Sequence, residues 1–126
     1  MVRIKLKLLL AIVVVATLAV AAPAWADIFN CPGGLCEAPP FLEDEDNTFY
    51  ESPDNDHIIG GSGDDDINAQ RYSDDTDNVE SKQGRDHINV RDGDRRDEVD
   101  CGKGNDVVRA NRHDDIANNC ERVRYN

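Results

Sequence analysis

The stretch "DHIIGGSGDDDIN", residues 56–68, contains one phrase twice: aspartate, any residue, then isoleucine. With valine allowed at the third place, the phrase returns at 77–79, 86–88, 97–99, 106–108 and 114–116. Ile58, Ile67, Val79, Ile88, Val99, Val108 and Ile116 thus form a series with spacings of 9, 12, 9, 11, 9 and 8 residues. Phe49, two residues after Asn47, reads as a worn first copy. Neighbouring spacings sum to 21, 21, 20, 20 and 17, so two copies make one unit of about 20 residues.

A chain that turns twice per unit, with a short strand after each turn, winds into a flattened coil. Strands on each side then stack in parallel about 4.8 Å apart. Single copies are too short to bury a core, but stacked copies share a continuous one. The expected fold is all-β, a parallel solenoid of about three to four coils. The aliphatic and the residue two later should face inward, because side chains alternate along a strand. Those second residues are Gly60, Ala69, Ser81, Val90, Cys101, Ala110 and Asn118, mostly small, as a thin interior requires. A helix is excluded because the spacing ignores the 3.6-residue period and glycine and aspartate are poor helix formers.

Three adjacent aspartates, Asp64 to Asp66, repel one another unless something positive sits among them. The nine-residue steps end in kindred phrases: "GGSGDDDIN" (60–68), "SKQGRDHIN" (81–89) and "CGKGNDVVR" (101–109). Each has a glycine four before the aliphatic (Gly63, Gly84, Gly104) and an aspartate two before it (Asp65, Asp86, Asp106). Stacking should place these aspartates in a column, where each close pair costs about 1 kcal/mol in water and more when buried. Carboxylates and glycine-turn carbonyls together would form an oxygen cage for a hard divalent ion, and calcium tolerates irregular geometry.

"GGSGDDDIN" resembles the nine-residue phrase G-G-x-G-x-D-x-(aliphatic)-x of the hemolysin-type (RTX) calcium-binding repeat family. The resemblance covers about residues 46–123 and is strongest at 54–68 and 99–109. It implies a right-handed parallel β-roll in which turn aspartates and carbonyls of adjacent coils share each calcium ion. Carried onto this chain, it implies a ladder of sites at Gly61, Gly63, Asp65, Gly84, Asp86, Gly102, Gly104 and Asp106. On the other side the aspartates are Asp56, Asp77, Asp97 and Asp114. There Asp54, Asp75, Arg95 and Arg112 replace the glycine, so calcium is expected chiefly on the glycine side, as two or three ions. Arg95, Arg96 and Arg112 are expected to stand in for a cation on the other.

The first 26 residues have the layout of a secretory signal: Arg3, Lys5 and Lys7, an apolar run from Leu8 to Val20, and Ala24-Trp25-Ala26 at the cut. A membrane anchor is the alternative, disfavoured by Pro23 and the Ala-x-Ala ending. Residues 27–52 are expected to form an N-terminal cap and acidic linker, and 53–126 the roll. The four cysteines fall into two local pairs, Cys31 with Cys36 around "PGGL", and Cys101 with Cys120. Export favours disulfides, and neither pair has zinc-knuckle spacing. Cys31–Cys36 would close the cap and Cys101–Cys120 the last coil.

All 26 acids follow residue 26, against 11 of the 14 basic residues, a net charge of −15. Nucleic acid and anionic membranes are unsuitable partners for such a chain; calcium ions, basic partners or an extracellular or cell-wall polymer are compatible. His57 and His87 sit at outward positions, and no Ser-His-Asp context, phosphate loop, HExxH or EF-hand loop is present. The expected protein is a secreted, non-enzymatic, monomeric calcium-binding module. The alternative is an adhesive solenoid with little calcium dependence.

Residues 27–90 carry a net −14 and residues 91–126 a net −1. In excess chelator, hydrogen exchange is expected to lose protection first before residue 90. Equal loss in both halves would contradict this.

Overall fold

A computed structural model describes residues 27–73, 75–93 and 96–126. The signal segment 1–26, Asp74, Asp94 and Arg95 lie outside them. The described residues are all-β with no helix, a parallel β-solenoid of about four turns. One sheet contains β1 (Asp27–Asn30), β3 (Asn47–Tyr50), β5 (Asp66–Asn68), β8 (His87–Asn89), β11 (Val107–Ala110) and β13 (Arg122–Tyr125), in that spatial order. The second contains β2 (Gly34–Glu37), β4 (Asp56–Ile59), β6 (Asn78–Glu80), β9 (Glu98–Asp100) and β12 (Asp115–Ile116). Two short strands, β7 (Gln83–Gly84) and β10 (Lys103–Gly104), pair along one corner.

The register follows the two-copy unit read from the spacing. Ile67 pairs with Ile88 and Ile88 with Val108 in the first sheet. Ile58 pairs with Val79, Val79 with Val99 and Val99 with Ile116 in the second. Strands that alternate between the sheets stack β-branched side chains along the axis into one cluster. Phe49, Ile58, Ile67, Val79, Ile88, Val99 and Val108 are all buried. Gly60, Ala69, Ser81, Val90, Cys101 and Ala110 fill the second inward row. Asn118 departs from the expectation and is exposed: the last coil is shorter, and its turn carries this residue out.

Residues 27–52 are more than a cap and linker. β1 and β3 pair with each other, β3 continues into β5, and β2 pairs with β4. Phe29 stacks on Phe49 at 5.1 Å between ring centroids, and Phe49 occupies the aliphatic place of the repeat. The first turn was obscured because aromatics and Cys36 replace Ile or Val there. Residues 39–46 form the turns of that coil.

Both expected disulfides are present. Cys31–Cys36 spans 5.4 Å between Cα atoms in the N-terminal region, and Cys101–Cys120 spans 5.2 Å. The second crosses from the inward row of one coil to the last, and closing such a loop stabilises by about 3 kcal/mol in the chain-entropy model.

The glycine corner stacks backbone on backbone. Gly84 has φ +130°, and a Cβ there would land on the Gly63 carbonyl oxygen; one on Gly104 would land on that of Gly84. Gly84→Ala is therefore expected to destabilise by about 2–3 kcal/mol, through left-handed strain and spreading of the coils. Urea unfolding checks this, with Ser62→Ala, at an exposed side chain of the same corner, as the control.

Candidate metal centre and aspartate ladders

Each repeat aspartate begins the inward alternation, two residues before its aliphatic. Its carboxylate therefore points between coils, next to the backbone of the coil before. On the glycine side, Asn47 N donates to Asp65 Oδ1 at 2.9 Å, Asp65 N to Asp86 Oδ1 at 2.8 Å and Asp86 N to Asp106 Oδ1 at 2.8 Å. Asp106 N donates to Glu121 Oε2 at 2.9 Å, which ends the ladder. Across the roll, Asp56 N donates to Asp77 Oδ1 at 2.8 Å, Asp77 N to Asp97 Oδ1 at 2.9 Å and Asp97 N to Asp114 Oδ1 at 3.3 Å. The structure thus brings Asp65, Asp86 and Asp106 into one column and Asp56, Asp77 and Asp97 into another.

The second carboxylate oxygens fare unequally. Asp65 Oδ2 accepts Gly61 N at 2.8 Å, Asp56 Oδ2 accepts Ser52 N at 2.6 Å and Asp114 Oδ2 accepts Asn111 N at 2.6 Å. Asp86 Oδ2, Asp97 Oδ2 and Asp106 Oδ2 are buried without a hydrogen-bond partner. Burial, with the neighbouring aspartates adding to it, pushes Asp86 up to about 7 and Asp97 up to about 8. Burial also raises Asp65, Asp77, Asp106 and Asp114, each against the lowering effect of the amides they accept.

The glycine turns of successive coils stack backbone on backbone. Ser62 N donates to Glu43 O at 2.6 Å, Gln83 N to Gly61 O at 3.0 Å and Lys103 N to Lys82 O at 2.6 Å. Gly61, Gly63, Gly84, Gly102 and Gly104 all lie where a Cβ would strike a carbonyl of the preceding coil. The steric demand of close-packed turns accounts for them in this structure. Lys82 takes the place of the second glycine in its coil with φ 71°, and its ammonium lies 3.5 Å from Glu37 and 3.6 Å from Glu43.

The tightest gathering of carboxylates lies on the opposite side. Glu51, Asp75 and Asp77 are all buried, and one oxygen from each lies within 4.8 Å of the others. Glu51 follows β3, while Asp75 and Asp77 lead into β6, so the site joins two coils. Glu51 Oε1 accepts Arg71 N and Tyr72 N, the latter at 2.7 Å, which folds the 12-residue step over the site. Glu51 Oε2 and Asp75 Oδ2 are buried with no hydrogen-bond partner. Burial and the Asp77 carboxyl push Glu51 up to about 8, and burial together with Asp77, Asp92 and Asp56 pushes Asp75 up to about 6.

Of the arginines expected to neutralise this side, Arg96 and Arg112 do not enter the group. Arg96 pairs with Asp115 on the surface, and Arg112 Nε donates to Asn126 O at 3.0 Å. Arg95 lies outside the described residues. Of this group only Asp77 is among the candidates the sequence offers, as a member of its aspartate column; Glu51 and Asp75 are not. Glu51 belongs to the unrecognised first coil, and Asp75 was read only as a missing glycine. The one available signal was the 12-residue step, long enough to form a loop over the corner. An oxygen-only donor set with uncompensated buried oxygens fits a hard divalent cation, with no nitrogen or thiolate to favour a transition metal.

The ladders set a pH dependence. Asp86 and Asp97 keep their protons when folded up to about pH 7 and 8, but ionise near pH 4 when unfolded. The folded state holds more protons in between, so this stability is complete below about pH 4 and lost as pH rises through 7–8. In chelator, the melting temperature is expected to be higher at pH 5 than at pH 8.5. Asp86→Asn should shrink that difference, since an amide oxygen still accepts Asp65 N without a buried charge; Asp86→Ala should cost about 1–3 kcal/mol by stranding that N–H. An unchanged or inverted pH dependence would contradict this.

No protein-family model, curated protein or solved structure matches this chain.

Proposed function

We propose that the protein is an extracellular, non-enzymatic calcium-binding β-roll module, a small relative of the hemolysin-type repeat proteins, in which the ion stabilises the fold. The observation that carries this is the buried Glu51–Asp75–Asp77 group, with two carboxylate oxygens that have no donor. Three carboxylates this close cannot all ionise in a dry site without a counter-charge. A bound divalent cation supplies it and ties the coil of β3 to that of β6. Two disulfides accord with an oxidising, extracellular setting, where calcium is plentiful. No helix of the described residues is long and apolar enough to cross a membrane.

The ion acts by mass action, because only the folded chain assembles its ligands. Extracellular calcium modules work in the range of about 0.1–1 mM. With a Kd of about 0.1 mM, 1 mM calcium contributes about 1.4 kcal/mol, or roughly 5–10 °C in melting temperature. Calorimetry of the oxidised mature chain with calcium is expected to show this shift and a heat of binding, with magnesium weaker. Glu51→Gln combined with Asp75→Asn should abolish both while raising the melting temperature in chelator at pH 8. Calcium binding that survives this double change would transfer the site to the glycine corner; absent heat and an unmoved melting temperature would refute the calcium reading.

A further inference from the structure

The two flat faces of the solenoid differ sharply in charge. The outward columns of the second sheet run Leu35, His57, Asn78, Glu98, Asp115 and Glu37, Ile59, Glu80, Asp100, and so carry five acids. On the first sheet, one outward column runs Ile28, Thr48, Asp66, His87, Val107, Arg122; the other runs Asn30, Tyr50, Asn68, Asn89, Arg109, Arg124. In a chain with a net charge of −15 beyond residue 26, these twelve positions hold one acid and three arginines. Like charges placed directly opposite on neighbouring strands destabilise a sheet, yet Arg109 and Arg124 are register partners. Both are exposed, and among the described residues neither guanidinium has an acid partner. Arg122 lies one column over, its guanidinium accepted by Asn105 Oδ1 at 2.8 Å. Asp66, the one acid, lies three strands from Arg122 and accepts Asn68 Nδ2 at 3.0 Å.

We propose that this face binds a linear acidic polysaccharide, a polyuronate whose carboxylates pair with Arg109, Arg124 and Arg122 while its hydroxyls meet the side-chain amides of Asn68, Gln70 and Asn89. The guanidinium fork matches a carboxylate in a bidentate way. The column from Asn30 to Arg124 crosses five strand spacings, about 24 Å, a straight track for an extended polymer. Exposed Tyr50 continues that track with an aromatic face on which a sugar ring can lie. Amides and an aromatic in line with arginines suit hydroxyl-rich rings joined to carboxylates. A nucleic acid offers a denser charge that the acidic remainder of the chain repels. A trough runs between these side chains, with Asp66, Gln70, His87, Asn89 and Arg109 along its wall. Asn89 Nδ2 donates to Gln70 Oε1 at 2.6 Å, which holds the amide row in place.

The test is binding of the oxidised mature chain to polygalacturonate at one fixed free-calcium concentration, with neutral dextran, dextran sulfate and duplex DNA as the other arms. Affinity for polygalacturonate alone, falling as salt rises, is the expected result. Arg109→Gln with Arg124→Gln should weaken it about tenfold, with an unchanged melting temperature and an unchanged calcium response. Arg96→Gln, a surface arginine on the opposite face, should leave it intact. Equal loss with Arg96→Gln, tighter binding to dextran sulfate or DNA, or no binding to polygalacturonate would each overturn the proposal. Because the Glu51 site is untouched by these substitutions, loss of calcium binding and loss of polymer binding are read separately.

Discussion

The structure depends on one repeated contact: an aspartate carboxylate taking the backbone N–H of the equivalent aspartate one coil earlier. A coil this flat must bend the chain at both edges, and the first amide after each bend points along the axis away from any strand partner. Left alone, each would be a buried unsatisfied donor, at about 1–3 kcal/mol apiece. Asp65, Asp86 and Asp106 on one edge, and Asp77, Asp97 and Asp114 on the other, accept these amides from inside. The phrase Asp-x-aliphatic is thus one structural instruction: accept the previous turn, skip one residue outward, then fill the core.

That solution concentrates negative charge where water is scarce. Aspartates stacked one coil apart do not disperse their charge, and Arg85 and Arg96 pair with other carboxylates, Asp64 and Asp115, on the surface. The roll responds in two ways. Some carboxyls hold their protons toward neutral pH, as burial does to Asp86 and Asp97. Where three gather, at Glu51, Asp75 and Asp77, a divalent cation is the natural counter-charge. Fold stability and proton uptake are consequently one problem in this molecule. The disulfide between Cys101 and Cys120 strengthens the end where the acidic ladder runs out at Glu121.

The repeat was legible because its aliphatics keep their register through every coil from Ile58 to Ile116, and the strand pairs match it residue for residue. The first coil was harder to see. Phe29, Cys36 and Phe49 fill the same inward places with side chains that do not announce the phrase. The three-carboxylate group was hidden for a related reason. Glu51 and Asp77 are 26 residues apart, and only winding brings them together. The glycines point to a tight corner, and in the structure amide-to-carbonyl pairs join its successive turns.

Sequence by itself determined the two-strand coil, the inward and outward rows and both disulfide pairs, because side-chain alternation and unit length are properties of the chain read one residue at a time. Only the tertiary structure decided which carboxylates meet, which of their oxygens lack a donor and which outer face escapes the acidic charge. Those depend on the axial stacking of residues about 20 apart, and on how far each turn carries a side chain from its column. No local pattern encodes either one.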